Sequence, residues 1–231
     1  MRKALILLFC ISLLGFTNLY AQEEDHQDTL KIKSPYGIRV GGDIGKLART
    51  AIDKDYRGFS INGDMRISKK FYVAAELGNE KKHWNKDQLS ADIEGSYLKA
   101  GIDYNAYNNW LDMNNAIYVG FRYGYSNFKE TLYSYRVYTT DKLLPSEIRE
   151  VNQTFDNLDL HWLEFQFGIK AELFKNLFLG LNLEVKASIT EKRPENFGVL
   201  YAPGFNRTYD NSSFGVGYGY TLTYLIPFFK K

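Results

Sequence analysis

Along most of the chain, apolar and polar residues alternate with a period of two, the spacing that gathers one class of side chain on one face of a strand. The last segment is the clearest. Phe214, Val216, Tyr218, Tyr220, Leu222, Tyr224, Ile226 and Phe228 point one way, and Ser213, Gly215, Gly217, Gly219, Thr221, Thr223 and Leu225 the other. No helix puts residues at that spacing on one face. The same alternation runs through Leu177–Ile189, His161–Ala171, Ile117–Tyr125, Leu98–Tyr104, Phe71–Leu77, Phe59–Ile67 and Ile38–Ile44. The pattern predicts eight strands.

The connections alternate as well. Ser68-Lys69-Lys70 and Phe174-Lys175-Asn176 are tight turns, and residues 105–114 are a moderate one. The other connections are long, at about 46–56, 80–93, 129–157 and 190–212. In an antiparallel meander the short turns then fall at one end and the long loops at the other. That asymmetry predicts an all-β fold, an eight-stranded antiparallel transmembrane up-and-down β-barrel over residues 35–231. Strands five and six are expected to continue past the membrane as a protruding sheet, because Tyr133, Tyr135 and Val137 keep the outward parity. Loop 190–212, with Pro194, Phe197, Tyr201, Pro203, Phe205 and Tyr209, is aromatic enough to fold over the mouth.

Alternation alone does not say which face lies outside. A soluble lipocalin-like carrier would turn the apolar face inward around a ligand. The polar face here is rich in glycine, as at Gly215, Gly217 and Gly219, and glycine on a solvated strand face weakens the strand. Inside a narrow barrel small residues make room for larger neighbours. The polar face also carries matched charges: Arg39, Arg66, Lys99, Arg122, Lys170 and Lys186 against Asp43, Asp64, Glu76, Asp103, Glu164, Glu172 and Glu184. Enclosed charges must pair to be tolerated, so these residues are expected to form a lumen charge network. The apolar face is nearly free of charge, as lipid requires. An eight-stranded barrel is just wide enough for its own side chains, so the lumen is expected to be filled.

Charge and composition narrow the picture. The chain has 231 residues, with Lys+Arg 29 and Asp+Glu 27. It opens with Met1-Arg2-Lys3, an apolar run from Ala4 to Phe16, and a more polar stretch ending at Ala21, the layout of a signal peptide over residues 1–21. Its removal would leave 27 cations against 27 anions, with no field to attract nucleic acid. Cys10 is the one cysteine and lies in that leader, so the exported chain is expected to have no disulfide and no thiolate metal site. Residues 22–34 are acidic and aperiodic, and are expected to form a periplasmic tether. Asp28-Thr29-Leu30 resembles a three-residue O-glycosylation motif of Bacteroidota.

The tail Gly219-Tyr220-Thr221-Leu222-Thr223-Tyr224-Leu225-Ile226-Pro227-Phe228 resembles the C-terminal signal by which outer-membrane barrels are recognised by the barrel assembly machinery. More widely, the chain resembles an uncharacterised Bacteroidota outer-membrane β-barrel family. The stretches Asp53-Lys54-Asp55-Tyr56-Arg57-Gly58-Phe59, Ser68–Gly78, Tyr118–Gly124 and Tyr201–Asn206 carry that resemblance. It implies fold and outer-membrane location, with membrane lipid and the assembly machinery as partners. It assigns no activity.

Chemistry is sparse. Gly41-Gly42-Asp43-Ile44-Gly45-Lys46-Leu47 has Val40 and Leu47 where a phosphate loop needs glycine and a hydroxyl. Gly215-Val216-Gly217-Tyr218-Gly219 opens no helix and is no dinucleotide fingerprint. His26, His83 and His161 are scattered, so no metal or other cofactor is expected. The one weak catalytic candidate is His161 beside Asp159, at the outer end of strand six, where a lipid hydrolase would work. His83 near Asp87 and Ser90 is a second. The expectation from sequence is a structural or surface-interaction protein acting through its outer loops, with a surface partner at 129–157 and 190–212. A lipid hydrolase using His161 and a lipocalin-like carrier are the alternatives.

Overall fold

The computed structural model describes residues 35–86, 89–108, 114–137, 147–194, 198–208 and 211–230. The expected signal peptide, the tether with its Asp28-Thr29-Leu30 motif, and Asp87, Phe197 and Tyr209 lie outside the described residues.

The chain forms strands β1 (Pro35–Asp43), β2 (Tyr56–Arg66), β3 (Phe71–Lys86), β4 (Leu89–Asn105), β5 (Ala116–Arg136), β6 (Ile148–Phe174), β7 (Leu177–Glu191), β8 (Tyr201–Ala202), β9 (Asn206–Arg207) and β10 (Phe214–Lys230). One helix, α1 (Ile44–Ile52), follows β1. Eight strands close an antiparallel barrel in the order β1-β10-β7-β6-β5-β4-β3-β2. β1 and β10 close it by pairing Ile38 with Ile226 and Asp43 with Thr221. The short β8–β9 pair stands apart from the wall.

The alternation is realised in the expected sense. Leu77, Phe121 and Leu183 on the outside are 58%, 55% and 57% exposed. Ile61, Val73, Leu98, Ile102, Ile117, Phe165, Phe167, Ile169, Leu181, Val185 and Ile226 continue this apolar surface around the barrel. So large a continuous apolar surface far exceeds the patches that soluble monomers leave to water. Of the thirteen charged positions expected inside, eleven are buried, and Arg66 and Glu172 at the strand ends are only half-buried. A lipocalin-like arrangement would require the reverse, so that alternative does not describe this barrel.

The belt ends where outward residues turn polar. Asn79 donates to Ser96 Oγ at 3.0 Å on the outer face. One step further, Glu94 holds Lys81 at 3.0 Å and Lys129 at 2.8 Å. Beyond that line β3 to β6 run on as a projecting sheet, with β5 and β6 paired as far as Arg136 and Ile148.

Three of the expected loop stretches are largely not loops. The described part of 129–157 is mostly strand, since β5 runs to Arg136 and β6 starts at Ile148. Residues 80–93 are largely strand, because β3 and β4 stay paired out to Lys86 and Leu89. Residues 46–56 contain most of α1. Its cause is local: β1 ends at Asp43, not Ile44, and the Asp43 carboxylate accepts hydrogen bonds from the Gly45 and Lys46 amides at 2.8 and 3.1 Å. That satisfies two of the orphan amides at a helix start. At the other end the Asp53 amide donates to Arg49 O at 2.7 Å.

The largest buried apolar cluster lies inside the projecting part. Tyr56, Ile93, Tyr97, Phe128, Leu132, Leu158, Leu160 and Trp162 from the wall pack against Val199, Tyr201, Ala202 and Phe205. Residues 198–208 thus form a lid that fills the mouth of the barrel.

Candidate functional site

The lumen is built in layers. Nearest the short turns, Asp64 takes Arg39 at 2.6 Å and Lys170 at 2.6 Å. The Arg39 guanidinium also lies 4.7 Å from the Tyr72 ring centre, and the Lys170 amine 4.9 Å from that of Tyr118. Above them Arg122 pairs with Asp103 at 3.1 Å. A cavity of about 30 Å³ remains beside these pairs, lined by Asn62, Asp64, Glu76, Tyr118, Gln166 and Asn182. That is room for about one water.

The next layer is a dense cluster. Lys99 reaches Glu76 at 3.4 Å, Glu164 at 3.2 Å and Glu184 at 3.3 Å. Lys186 pairs with Glu184 at 2.8 Å. Neutral groups take up remaining acceptor capacity: Gln166 donates to Glu164 at 2.5 Å, Asn182 to Glu184 at 2.8 Å, and the Trp162 indole N–H to Glu164 at 3.2 Å. Among the described residues six cations, Arg39, Lys46, Lys99, Arg122, Lys170 and Lys186, are in ion pairs with six carboxylates, Asp64, Glu76, Glu80, Asp103, Glu164 and Glu184.

Two members of the expected network stand outside it. Arg66 donates to the Ser68 and Lys69 carbonyls at 3.0 and 2.7 Å, clasping the first short turn. Glu172 accepts from Asn114 at 3.2 Å and from the Asn176 amide at 2.9 Å. Both sit at strand ends, where backbone groups of turns compete for them. Asp43 is buried but serves as the cap of α1.

Sequence phase alone missed Lys46 and Glu80. Lys46 points from α1 into the lumen and meets Glu80 at 2.9 Å, Glu76 at 3.4 Å and the Tyr97 hydroxyl. Glu80 also accepts from the Tyr201 hydroxyl, and from the Gly204 amide at 3.3 Å. Gly204 O in turn accepts from Lys186 Nζ at 2.8 Å. The lid is therefore tied into the charge network through one peptide. Glu80 and Tyr97 share the inward parity of Glu76 and Lys99, and that signal could have found them. Lys46 could be found only by recognising Asp43 as a helix cap.

The histidines are placed differently from a catalytic set. The His161 ring is on the outer face, bonded through Nδ1 to the Tyr123 hydroxyl at 2.6 Å and 4.8 Å from the Tyr125 ring. Its Nε2 is 3.9 Å from Asp159. His83 pairs with Asp92 across the β3–β4 ladder, with Tyr133 Oη 3.3 Å from the same carboxylate. Among the described residues no serine hydroxyl hydrogen-bonds either ring, and no group of acidic or histidine side chains could hold a metal.

Two features lie beyond the belt. A groove of about 760 Å³ on the projecting sheet is lined by Trp84, Leu89, Leu132, Tyr135, Phe155 and Leu200, and rimmed by Lys86, Arg136 and Arg207. Beneath the lid, Glu130 is fully buried and neither carboxylate oxygen has a hydrogen-bond partner of ordinary geometry. Burial pushes its carboxyl up to about 8, against an opposing pull from the Leu200 backbone and a further push from Glu191.

A family model described as a domain of unknown function (DUF6048) matches residues 1–231. No match was found among curated proteins. Among solved structures, the chain is similar to the crystal structure of Ail, the attachment invasion locus protein of Yersinia pestis. The identity is 12% and the TM-score 0.41, over 84% of this chain and 98% of that one. The structure of Ail with the heparin analogue sucrose octasulfate matches at 13% identity and a TM-score of 0.39, again over 84% and 98%.

Proposed function

The chain belongs to the DUF6048 family, and we propose that it is an integral outer-membrane barrel of a Gram-negative, Bacteroidota-type envelope that binds a surface partner through its projecting strands. The observation that carries this is the pairing of a lipid-type apolar belt with an aromatic groove held beyond it. Charged lumen residues pair across the barrel and a lid covers the mouth, so the groove is the recognition surface that faces outward beyond the belt. Trp84, Tyr135 and Phe155 supply flat apolar area, and Lys86, Arg136 and Arg207 give it a positive rim. Aromatic and arginine residues of this kind dominate binding energetics at interfaces.

On this reading residues 1–21 direct export, residues 22–34 lie in the periplasm, and the C-terminal strand is the element that the barrel assembly machinery engages. The β10 residues Leu222, Tyr224, Ile226 and Phe228 face lipid.

The orientation can be read with one thiol. Cys10 is the only cysteine and lies in the expected leader. In cells carrying Glu147→Cys, a membrane-impermeant maleimide should label the protein without permeabilisation. A Ser68→Cys protein should label only after permeabilisation. The barrel should also stay in carbonate-washed outer membranes and migrate differently boiled and unboiled. The reverse labelling, or release by carbonate, would overturn the reading.

A further inference from the structure

The barrel wall is incomplete at its mouth end. β1 stops at Asp43, paired with Thr221, while both neighbours continue. β10 runs on from Tyr220 to Phe214, and β2 runs on from Ser60 to Tyr56. Helix α1 occupies the gap and touches both sides, but its own hydrogen bonds go to one of them. The Thr50 hydroxyl takes the Gly58 amide at 2.9 Å and gives to the Gly58 carbonyl at 3.0 Å, and the Tyr56 amide reaches Asp53 O at 3.1 Å. The β2 edge is therefore capped.

The β10 edge is capped only in part. On it, the Tyr220 amide meets Asp43 at 3.4 Å and Val216 O takes the Asn206 side chain at 3.3 Å. Backbone groups of alternate residues share one side of a strand, so the Tyr218 peptide between them faces the same gap. Among the described residues nothing pairs with it there. A cavity of about 600 Å³ passes through this breach. Its walls include outward-facing Leu183, Val216, Tyr218 and Tyr220 as well as inward-facing Glu184 and Lys186. It thus connects the apolar exterior with the charged interior.

The charge along this cavity is uneven. Deep inside, Lys46, Lys99 and Lys186 meet Glu76, Glu80, Glu164 and Glu184, so cations are fully matched there. At the rim the balance reverses. Arg49 and Lys82 share one carboxylate, Asp53, at 3.5 and 3.2 Å. Arg207, stacked 5.4 Å from the Trp84 ring centre, lines the same rim. Two of the rim cations, Arg49 and Lys82, thus have a single carboxylate between them.

We propose that the gap between α1 and β10 is a lateral portal that takes an anionic amphiphile from the outer leaflet. Its chains lie against Leu183, Val216, Tyr218 and Tyr220, and its phosphate- or carboxylate-type head reaches Arg49 and Lys82. Exposed Ile44 and Leu47 on α1 complete the apolar approach on the other side. The proposal rests on the membrane reading above, which fractionation and thiol labelling test separately.

The test uses the purified full barrel in a neutral maltoside detergent, with bound species counted by native mass spectrometry. Three probes are offered: phosphatidic acid, diacylglycerol with the same chains, and inorganic phosphate. Phosphatidic acid should bind at least about tenfold more tightly than either other probe. The Arg49→Gln/Lys82→Gln variant should lose about tenfold for phosphatidic acid, with its heat-modifiable mobility retained, and Lys129→Gln should bind like the wild type. Equal binding of inorganic phosphate would identify a soluble-anion site and overturn the portal. Equal binding of diacylglycerol, or no binding of any probe, would overturn it too. Because the three probes are compared on the wild-type barrel, the result does not depend on the variant folding.

Discussion

Gly124 on β5 faces the Trp162 indole across the β5–β6 ladder, and a Cβ at Gly124 would lie 2.1 Å from Trp162 Cε2. The missing side chain is the space the ring fills. Trp162 is fully buried, donates to Glu164, and meets Phe205 of the lid edge-on at 5.8 Å. Gly124→Ala should therefore displace the ring and destabilise the folded barrel by about 1–3 kcal/mol, the usual cost of overpacking. Urea titration of the heat-modifiable band in detergent would read this as a lower midpoint. Adding Trp162→Phe should recover part of the loss. If Gly124→Ala alone has the wild-type midpoint, the ring is not the reason for the glycine.

Lys46 and Glu80 give the second prediction. Lys46 is the group through which α1 reaches into the lumen, and Glu80 is fully buried. Removing one partner of such a pair leaves an uncompensated charge, typically at a cost of about 3–5 kcal/mol. Lys46→Met should therefore loosen α1 and open it to proteolysis from the mouth side. In Lys46→Met/Glu80→Leu no charge is stranded, and resistance should largely return. Urea midpoints of the two single variants and the double variant would give the coupling energy. Additive effects would show that the pair does not hold the helix.

How much of this was legible beforehand follows from the physics of each part. A period of two survives in any strand with one apolar face, so the eight barrel strands and the inward placement of Lys99, Glu164 and Lys186 could be read directly. The strand ends could not. In the projecting sheet the outward face meets water, so Lys81, Glu94 and Lys129 break the apolar alternation while β3, β4 and β5 continue. Helix α1 was hidden because it is short and contributes no buried residue of its own. Its one inward group is a lysine, which in a sequence reads as a solvated loop. Arg66 and Glu172 have the parity of the lumen but sit one step too close to the turns, and parity carries no information about depth.

Gly204 yields a prediction about the lid. It adopts a φ of 76°, a left-handed conformation. A Cβ there would also lie 2.5 Å from the Tyr97 ring. Its amide and carbonyl meet Glu80 and Lys186. Gly204→Val should unseat residues 198–208 while leaving the wall intact. Limited proteolysis should then cut at Arg207 in the variant and not in the wild type, with the boiled and unboiled bands still distinct. Cleavage at equal rates would mean that the lid is held by its apolar contacts alone.

The last prediction concerns Glu130 and pH. Outward Asn127 and Lys129 place this part of β5 beyond the belt, and Glu130 itself faces the apolar space under the lid. Desolvation raises its carboxyl from 4.5 to about 8 with the lid closed, whereas an opened lid would let water restore the ordinary value. Below about pH 4.5 the carboxyl is protonated in both states, and the closed lid has its full stability. Between there and about 8 the open state is ionised and the closed state must still hold a proton. Closure then weakens by about 1.4 kcal/mol per pH unit. Above about 8 both states are ionised and the dependence flattens. Rising pH therefore favours the open lid, opposite to a salt-bridged carboxylate, which is weakened by acid. Hydrogen exchange at the Val199–Phe205 amides, corrected for the intrinsic rate, should quicken between pH 5 and 8. Glu130→Gln should be slower than the wild type at pH 7.5 and nearly flat across this range. The difference between the two isolates Glu130 from other titrating groups. An identical profile for both would show that the buried carboxyl does not govern the lid.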